Sequence, residues 1–128
     1  MNIIIRTTPA AAHQLLTGSK RALIRSRVPR RLEPGDTVFI YHTGKIHGHL
    51  TYIDHDHCPL PKKYRRTWLE YAANVATITE PAAMRALATG IAHTIELRNP
   101  TPYPHRVSFQ LSNTQSFIYT HFTPITIH

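Results

Sequence analysis

The sequence predicts an α+β fold, in which a mixed barrel of five to seven short strands is flanked by two or three helices. Three observations lead to this prediction. Strand and helix patterns follow one another as strand, helix, several strands, helices and strands again. The βα alternations are too few for a doubly wound parallel sheet. At 128 residues, the chain is expected to form a single domain over residues 1–128.

The first two elements have clear boundaries. Residues 2–7 are rich in β-branched side chains and predict a strand. Thr8 is a candidate N-cap with Pro9 at the first helical position, and Gly18 is expected to end the helix.

The best-supported β unit is a hairpin in the first half of the chain. The sequence Glu-Pro-Gly-Asp at 33–36 predicts a turn before a strand at 37–42. A second turn at 43–45 leads into a returning strand at 46–54. Gly48 interrupts this strand, and indicates a bulge, the close approach of a ligand, or tight packing against the helix.

The second half of the chain predicts helices followed by strands. A helical stripe covers residues 68–76, and a further helix is expected between a cap at Thr79 and Gly90. Its inward face would carry Ala83, Met84, Leu87 and Ala88. A strand is expected at 91–98, a bend or edge at 100–104, and strands or strand fragments at 107–111 and 117–127.

Charge is the first indication of function. The chain has 15 Lys and Arg residues against 7 Asp and Glu, a net charge of +8, and its pI is about 10.2. Such values are typical of nucleic-acid-binding domains. The segment 19–31 concentrates this charge in Lys20, Arg21, Arg25, Arg27, Arg30 and Arg31.

The pattern of this segment suits a strand, in which Arg25 and Arg27 share a face. Arg guanidinium groups match phosphates bidentately, so the segment predicts a phosphate-binding surface. Glu96, on another predicted strand, is a candidate ion-pair partner for these cations. The alternative is a strand edge kept cationic to prevent pairing.

A second basic cluster combines positive charge with an aromatic ring. It consists of Lys62, Lys63, Tyr64, Arg65 and Arg66. Bases stack on such exposed aromatic rings with little regard to sequence, so Tyr64 is a candidate contact. Trp68 is assigned to the core.

Histidines cluster around the hairpin. His47 and His49 share a predicted strand face, and His55, His57 and Cys58 follow. Zinc needs three or four such ligands, but the spacing matches no familiar motif, so neither a metal nor another cofactor is predicted. His47 is instead expected to line a ligand cleft beside Lys45.

Residues 18–53 resemble the ASCH domain of the PUA-like superfamily. Gly18, Lys20 and Arg25 match its Gly-x-Lys…Arg signature, and the basic stretch 27–31 and the turn at 33–36 follow at the usual spacing. Later segments at 94–99 and 115–119 are also similar to the family, so the resemblance spans nearly the whole chain. It implies a PUA-like β-barrel with a cleft beside the helices, where Gln115 and Ser116 would contact a base edge.

The resemblance also implies a catalytic alternative. In one branch of the family a Lys, a Thr and a Glu are associated with hydrolysis of N4-acylated cytidines. Lys20 matches the Lys, and Glu80 corresponds to the Glu by its place at a helix start. Leu23 stands at the Thr position and has no hydroxyl, which argues against catalysis.

The sequence therefore favours a module that binds RNA, another nucleic acid or a nucleotide-like ligand, with a modified base among the candidates. The alternatives are a hydrolase, either the amidohydrolase or a ribonuclease, and a regulatory protein with a vestigial cleft. The apolar run at 3–5 is too short for a signal peptide or membrane span, so a cytoplasmic protein without a membrane partner is expected.

Overall fold

The structure is a computed structural model that describes residues 1–59, 80–89 and 91–124. The predicted helix at 68–76, the cap Thr79 and the basic cluster at 62–66 lie outside these ranges. In the described part no helix is long and apolar enough to cross a membrane. The described elements are β1 (Asn2–Arg6), α1 (Pro9–Leu16), β2 (Ala22–Arg25), β3 (Thr37–His42), β4 (Lys45–Pro59), α2 (Pro81–Thr89), β5 (Ile91–Ser108) and β6 (Phe117–Thr120).

The strands form one mixed sheet in the order β2-β5-β4-β3-β1-β6. β1 pairs with β3 in parallel, whereas the other pairs are antiparallel. The sheet curls into a half-barrel whose two edges are β2 and β6. The segment after β2 reaches the opposite edge, where the backbone N–H of Arg31 donates to the Tyr119 hydroxyl at 3.1 Å. The predicted α+β architecture, with a curled mixed sheet, is thus confirmed.

Apolar clusters cover the central strands on both faces. Ile3 and Ile5 belong to one cluster, which also contains Leu15 of α1, whereas the intervening Ile4 belongs to a second cluster with Phe39. A strand buried on both faces needs a continuous apolar run, because alternate side chains point to opposite sides of the sheet. This burial explains the three consecutive isoleucines of β1.

Helix α1 begins and ends where local chemistry predicted. The Thr8 hydroxyl accepts a hydrogen bond from the Ala11 backbone N–H at 3.2 Å, and Pro9 opens the helix. Gly18 adopts a φ of 83°, which favours glycine, and its N–H donates to the Leu15 carbonyl.

Gly48 lies where β4, β5 and α1 meet. The β3–β4 register shifts between Ile40 and Tyr41, so a bulge adjoins this glycine. A Cβ at position 48 would lie 2.5 Å from the Thr101 carbonyl oxygen and 2.7 Å from Leu16 Cδ2. Packing against the helix and the neighbouring strand therefore accounts for Gly48, and the ligand interpretation is not needed.

Several predicted elements differ in extent. The strand in the basic segment covers only Ala22–Arg25, so Arg27 does not share its face with Arg25. The prolines at 100–104 do not form a separate bend, because β5 runs unbroken through Ile91–Ser108. The prolines lie in the part of β5 where its register with β4 shifts, and irregular pairing of this kind tolerates proline. In α2 the Met84 side chain is 44% exposed and Ala88 is also exposed, so neither faces inward.

Candidate nucleic-acid interface

A buried cluster of three charges lies where β2 meets the start of α2. The Glu80 carboxylate is 2% exposed and accepts two hydrogen bonds from the Arg25 guanidinium, at 3.1 Å and 2.9 Å. The Lys20 ammonium, 8% exposed, lies 3.5 Å from Glu80 Oε1. One carboxylate therefore faces two cations.

Three different elements position these groups. Lys20 follows α1, where its backbone N–H donates to the Gln14 carbonyl at 3.0 Å. Arg25 is the last residue of β2. Glu80 immediately precedes α2, and its carbonyl accepts the first helical hydrogen bond from Met84. The site consequently exists only when the chain is folded.

The surplus positive charge is held in a poorly solvated place. Burial lowers the pKa of Lys20, and the guanidinium of Arg25 acts in the same direction, while Glu80 opposes them. Burial is the largest of these causes. The cluster is thus one negative charge short of neutrality when Lys20 is protonated.

The Arg25 guanidinium is held entirely by contacts within the protein. Besides Glu80, one terminal nitrogen donates to the Ile24 carbonyl at 2.8 Å and the other to the Arg6 carbonyl at 3.2 Å. These four bonds occupy its terminal N–H groups, so the guanidinium offers no free fork to a phosphate. The prediction that Glu96 pairs with a cation of the basic segment was wrong, because the Glu96 carboxylate contacts Arg98, two residues along the same strand.

A groove runs past this cluster, between the segment after β2 and strand β6. It consists of three adjoining cavities of about 700, 300 and 290 Å³. The first and second share Ser26, Arg27 and Phe117, and the second and third share Arg25, Ala82, Arg85 and Ser116. We call this continuous surface the basic groove.

The largest cavity combines cations with aromatic rings. Exposed Arg27, Arg30 and Arg31 line it together with Phe117 and Tyr119. The Arg31 guanidinium carbon lies 5.2 Å from the centroid of the Tyr119 ring, which is within cation–π range. This end of the groove presents positive charge and apolar ring surface at the same place.

The opposite end of the groove is formed by a loop that Arg6 holds in place. The Arg6 side chain donates to the backbone carbonyls of Gln115 at 3.1 Å, Ser112 at 2.8 Å and Leu111 at 3.2 Å. Gln115 and Ser116 are exposed and line the cavity that Glu80 also lines. The structure therefore brings these two residues and Glu80 to one cavity.

Some groove residues were missed from the sequence. Phe117 and Tyr119 follow the Gln115-Ser116 pair at alternate positions, so their strand periodicity could have placed both rings on one face. Arg85 lines two of the cavities from α2. No local pattern distinguishes it from an ordinary exposed helical arginine.

Other predicted site residues lie away from the groove. Arg21 is exposed and lines none of its cavities. Lys45 is exposed at the tip of the β3–β4 hairpin, and His47 lines a separate cavity on the α1 side, so the predicted cleft does not include these two. Lys62, Lys63, Tyr64, Arg65 and Arg66 lie outside the described residues.

The hairpin histidines contact one another and a tyrosine. His47 stacks on His42, whereas a ring nitrogen of His49 hydrogen-bonds to the Tyr103 hydroxyl at 2.7 Å. In the ranges that the structure covers, no three His, Cys, Asp or Glu side chains are grouped to hold a metal. The side chains of His57 and Cys58 are not described.

Comparisons with known proteins identify the fold. No family model and no curated protein matches the sequence. The structure is similar to the crystal structure of ASCH from Zymomonas mobilis, with a TM-score of 0.71 and 17% identity over 93% of this chain and 87% of that one. Two crystal structures of single-residue mutants of the same protein match with TM-scores of 0.71 and 0.70, both at 16% identity and over 93% of this chain. They are covered over 89% and 87% of their own length.

These similarities show the general class of fold. A curled mixed sheet with flanking helices, matched over nearly the whole chain, is the PUA-like α+β architecture. Within that class, the chain has the ASCH fold. The resemblance first seen in the motif at Gly18, Lys20 and Arg25 is thereby confirmed at the level of the fold.

Proposed function

We propose that this protein binds single-stranded RNA, or a nucleotide-like ligand of the same chemistry, in the basic groove. The observation that carries the proposal is the composition of the groove lining. Four exposed arginines line it, whereas the only carboxylate among its described lining residues is Glu80. Glu80 is already neutralised by Arg25. The lining therefore has a net attraction for a polyanion.

The dimensions and the aromatic rings support the same ligand. Pockets that hold small ligands usually measure about 300–1,000 Å³, and the largest cavity, at about 700 Å³, lies in this range. A base stacked on Tyr119 or Phe117 would place its phosphates among Arg27, Arg30 and Arg31. Single-strand binding commonly combines stacking with a cationic track in this way.

The loop end of the groove supplies polar groups for recognition. The Gln115 amide and the Ser116 hydroxyl can donate and accept hydrogen bonds at a base edge. Arg6 fixes the backbone of this loop, so these groups are presented without a large ordering cost. A modified base bound at this end is the finer form of the proposal.

The test is a salt titration with a labelled single-stranded RNA of about 12 nucleotides. We expect the logarithm of the association constant to fall linearly with the logarithm of salt concentration. The double variant Arg27→Gln/Arg30→Gln should flatten the slope by about 0.7 for each phosphate that the groove no longer binds. The double variant Arg21→Gln/Arg98→Gln is the matched control, because it removes two arginines that line none of the groove cavities.

Two outcomes would contradict the proposal. The first is undetectable binding at low salt. The second is an equal flattening of the slope in the groove variant and in Arg21→Gln/Arg98→Gln, which would mean that the charge acts diffusely. Comparing RNAs with and without a modified cytidine then tests whether the loop end recognises a base.

A hydrolase is the second candidate, supported by one observation. Lys20 forms a buried ion pair with Glu80, which lines the groove, and burial lowers the pKa of Lys20, as is common at catalytic sites. Leu23 argues against it, because this side chain is fully buried in the core cluster. We expect that the protein does not hydrolyse N4-acetylcytidine, as measured by liquid chromatography of the reaction products. Turnover that Lys20→Ala abolishes would establish the hydrolase instead.

A further inference from the structure

A fourth cavity is separate from the basic groove. It measures about 370 Å³ and lies between α1, the β3–β4 hairpin and β5. None of its lining residues lines the three groove cavities. Leu16 and Pro102, the same residues that approach Gly48, contribute an apolar part of its wall.

The polar part of this cavity is basic. His13, His42, His47 and Arg106 line it, and no Asp or Glu is among its described lining residues. Arg106 is exposed and has no carboxylate at ion-pair distance within the described residues. A guanidinium without a carboxylate partner, beside several imidazoles, is suited to bind an anion.

Two of the imidazoles are stacked on each other. The ring centroids of His42 and His47 are 3.5 Å apart and the ring planes differ by 8°. A hydrogen bond of 3.2 Å between His47 Nε2 and the His42 carbonyl oxygen holds this arrangement. Each ring keeps one nitrogen that these contacts do not occupy, because the other nitrogen of His42 contacts the Thr43 hydroxyl.

We infer that this cavity, which we call the histidine pocket, is a binding site for a phosphate group, and that its affinity for a tetrahedral anion of constant charge is higher at acidic pH. The guanidinium of Arg106 would take two phosphate oxygens, and a protonated imidazole would take another. A phosphate fits better than a carboxylate because it offers three acceptor oxygens and up to two negative charges.

The pH dependence follows from the groups around the stacked pair. These groups are His13 from α1, Lys45 and Thr43 from the hairpin, and Arg106 and Tyr103 from β5. The cations among them disfavour protonation of the rings, and burial is the largest cause of the lowered pKa of both His42 and His47. Burial also raises the pKa of Tyr103 to about 12, so this phenol stays neutral.

An anion would reverse this disadvantage. Because it favours the charged form of a neighbouring imidazole, its binding is coupled to proton uptake. Affinity for an anion of constant charge should therefore rise as the pH falls through the histidine range. Linkage allows at most about tenfold per pH unit for each proton taken up.

The first experiment uses inorganic sulfate, a tetrahedral anion whose charge does not change between about pH 5.5 and pH 7.5. NMR of the imidazole resonances, assigned with His42→Gln and His47→Gln, follows binding and protonation together. We expect sulfate to bind about three- to tenfold more tightly at the lower pH and to raise the apparent pKa of both rings. Arg106→Gln should abolish binding, and His105→Gln, a neighbouring exposed histidine outside the pocket, should not.

Two further arms identify the source of the phosphate. Adenosine monophosphate, adenosine, and a short RNA without a terminal phosphate are compared at one pH. Preference for the monophosphate assigns the pocket to a terminal phosphate, and binding of the RNA assigns it to a backbone phosphodiester. The inference would be overturned if adenosine bound with the same affinity as adenosine monophosphate. It would also be overturned by a sulfate affinity that is independent of pH or of Arg106.

The test of the histidine pocket is independent of whether the basic groove binds RNA. Arg30→Gln alters the groove and should leave sulfate binding in the histidine pocket unchanged. Circular dichroism is the check that Arg106→Gln is folded, and Arg106→Glu is a second variant at the same exposed position. A folded Arg106→Glu protein that still bound sulfate would refute the assignment.

Discussion

Replacing Glu80 by Gln should destabilise the protein far more than removal of an exposed carboxylate. The substitution removes the only negative charge from a buried cluster of three groups and leaves Arg25 and Lys20 together. Breaking a buried ion pair by removing one partner costs about 3–5 kcal/mol. A glutamine can still accept a hydrogen bond from Arg25, so we expect a loss of about 3 kcal/mol in the free energy of unfolding.

The loss should depend on pH through Lys20. The pKa of Lys20 in the folded protein lies below its ordinary value of 10.5, so the unfolded chain binds more protons between these two values. Stability therefore rises with pH in that window. Glu80 opposes the lowering of this pKa, and without it the window extends further down. The deficit of Glu80→Gln should thus shrink as the pH rises toward 10.5, the ordinary pKa of a lysine.

Urea unfolding followed by circular dichroism measures both effects. Glu96→Gln is the matched control, since Glu96 is 40% exposed in its ion pair with Arg98 and should cost less than about 1 kcal/mol. Adding Lys20→Met to Glu80→Gln should recover part of the stability, because it removes one surplus buried cation. Equal losses in Glu80→Gln and Glu96→Gln, or a deficit unaffected by pH and by Lys20→Met, would refute the charge-cluster argument.

Three further predictions concern single sites. Gly48→Ala should lower the free energy of unfolding by about 1–3 kcal/mol in urea titrations, because its Cβ would meet the Thr101 carbonyl at 2.5 Å; an unchanged midpoint would show that the strands can move apart freely. Thr8→Ala should cost about 1 kcal/mol by removing the N-cap of α1, whereas Thr8→Ser should cost much less. Tyr119→Leu should weaken RNA binding in fluorescence anisotropy and Tyr119→Phe should preserve most of it, because stacking needs the ring. Equal binding by both Tyr119 variants would exclude stacking at this position.

The comparison of sequence with structure is clearest in the first half of the chain. The hairpin strand at 37–42 has the bounds that its sequence predicts, and Thr8, Pro9 and Gly18 mark the limits of α1 correctly. Caps and turns depend on residues close in sequence, so their chemistry can be recognised locally. The motif residues Lys20 and Arg25 are likewise recognisable from the amino-acid sequence alone.

The strand in the basic segment shows where local patterns fail. Alternation predicts that Arg25 and Arg27 share a face, but pairing of β2 with β5 ends at Arg25. A strand ends where hydrogen bonding to its partner strand stops, and the partner of β2 is β5, about seventy residues away in the sequence. The pattern within the segment contains no information about that partner.

The sequence by itself predicted the fold class and the basic character, and its resemblance to the ASCH signature pointed to Lys20, Arg25 and Glu80 as candidate site residues. Only the tertiary structure decided that Arg25 is buried against Glu80 rather than paired with Glu96, and that Arg85, Phe117 and Tyr119 complete the groove. The physical reason is the range of the interactions. Capping and turn formation act over a few residues, whereas burial, ion pairing and groove formation depend on which distant strands the curled sheet brings together.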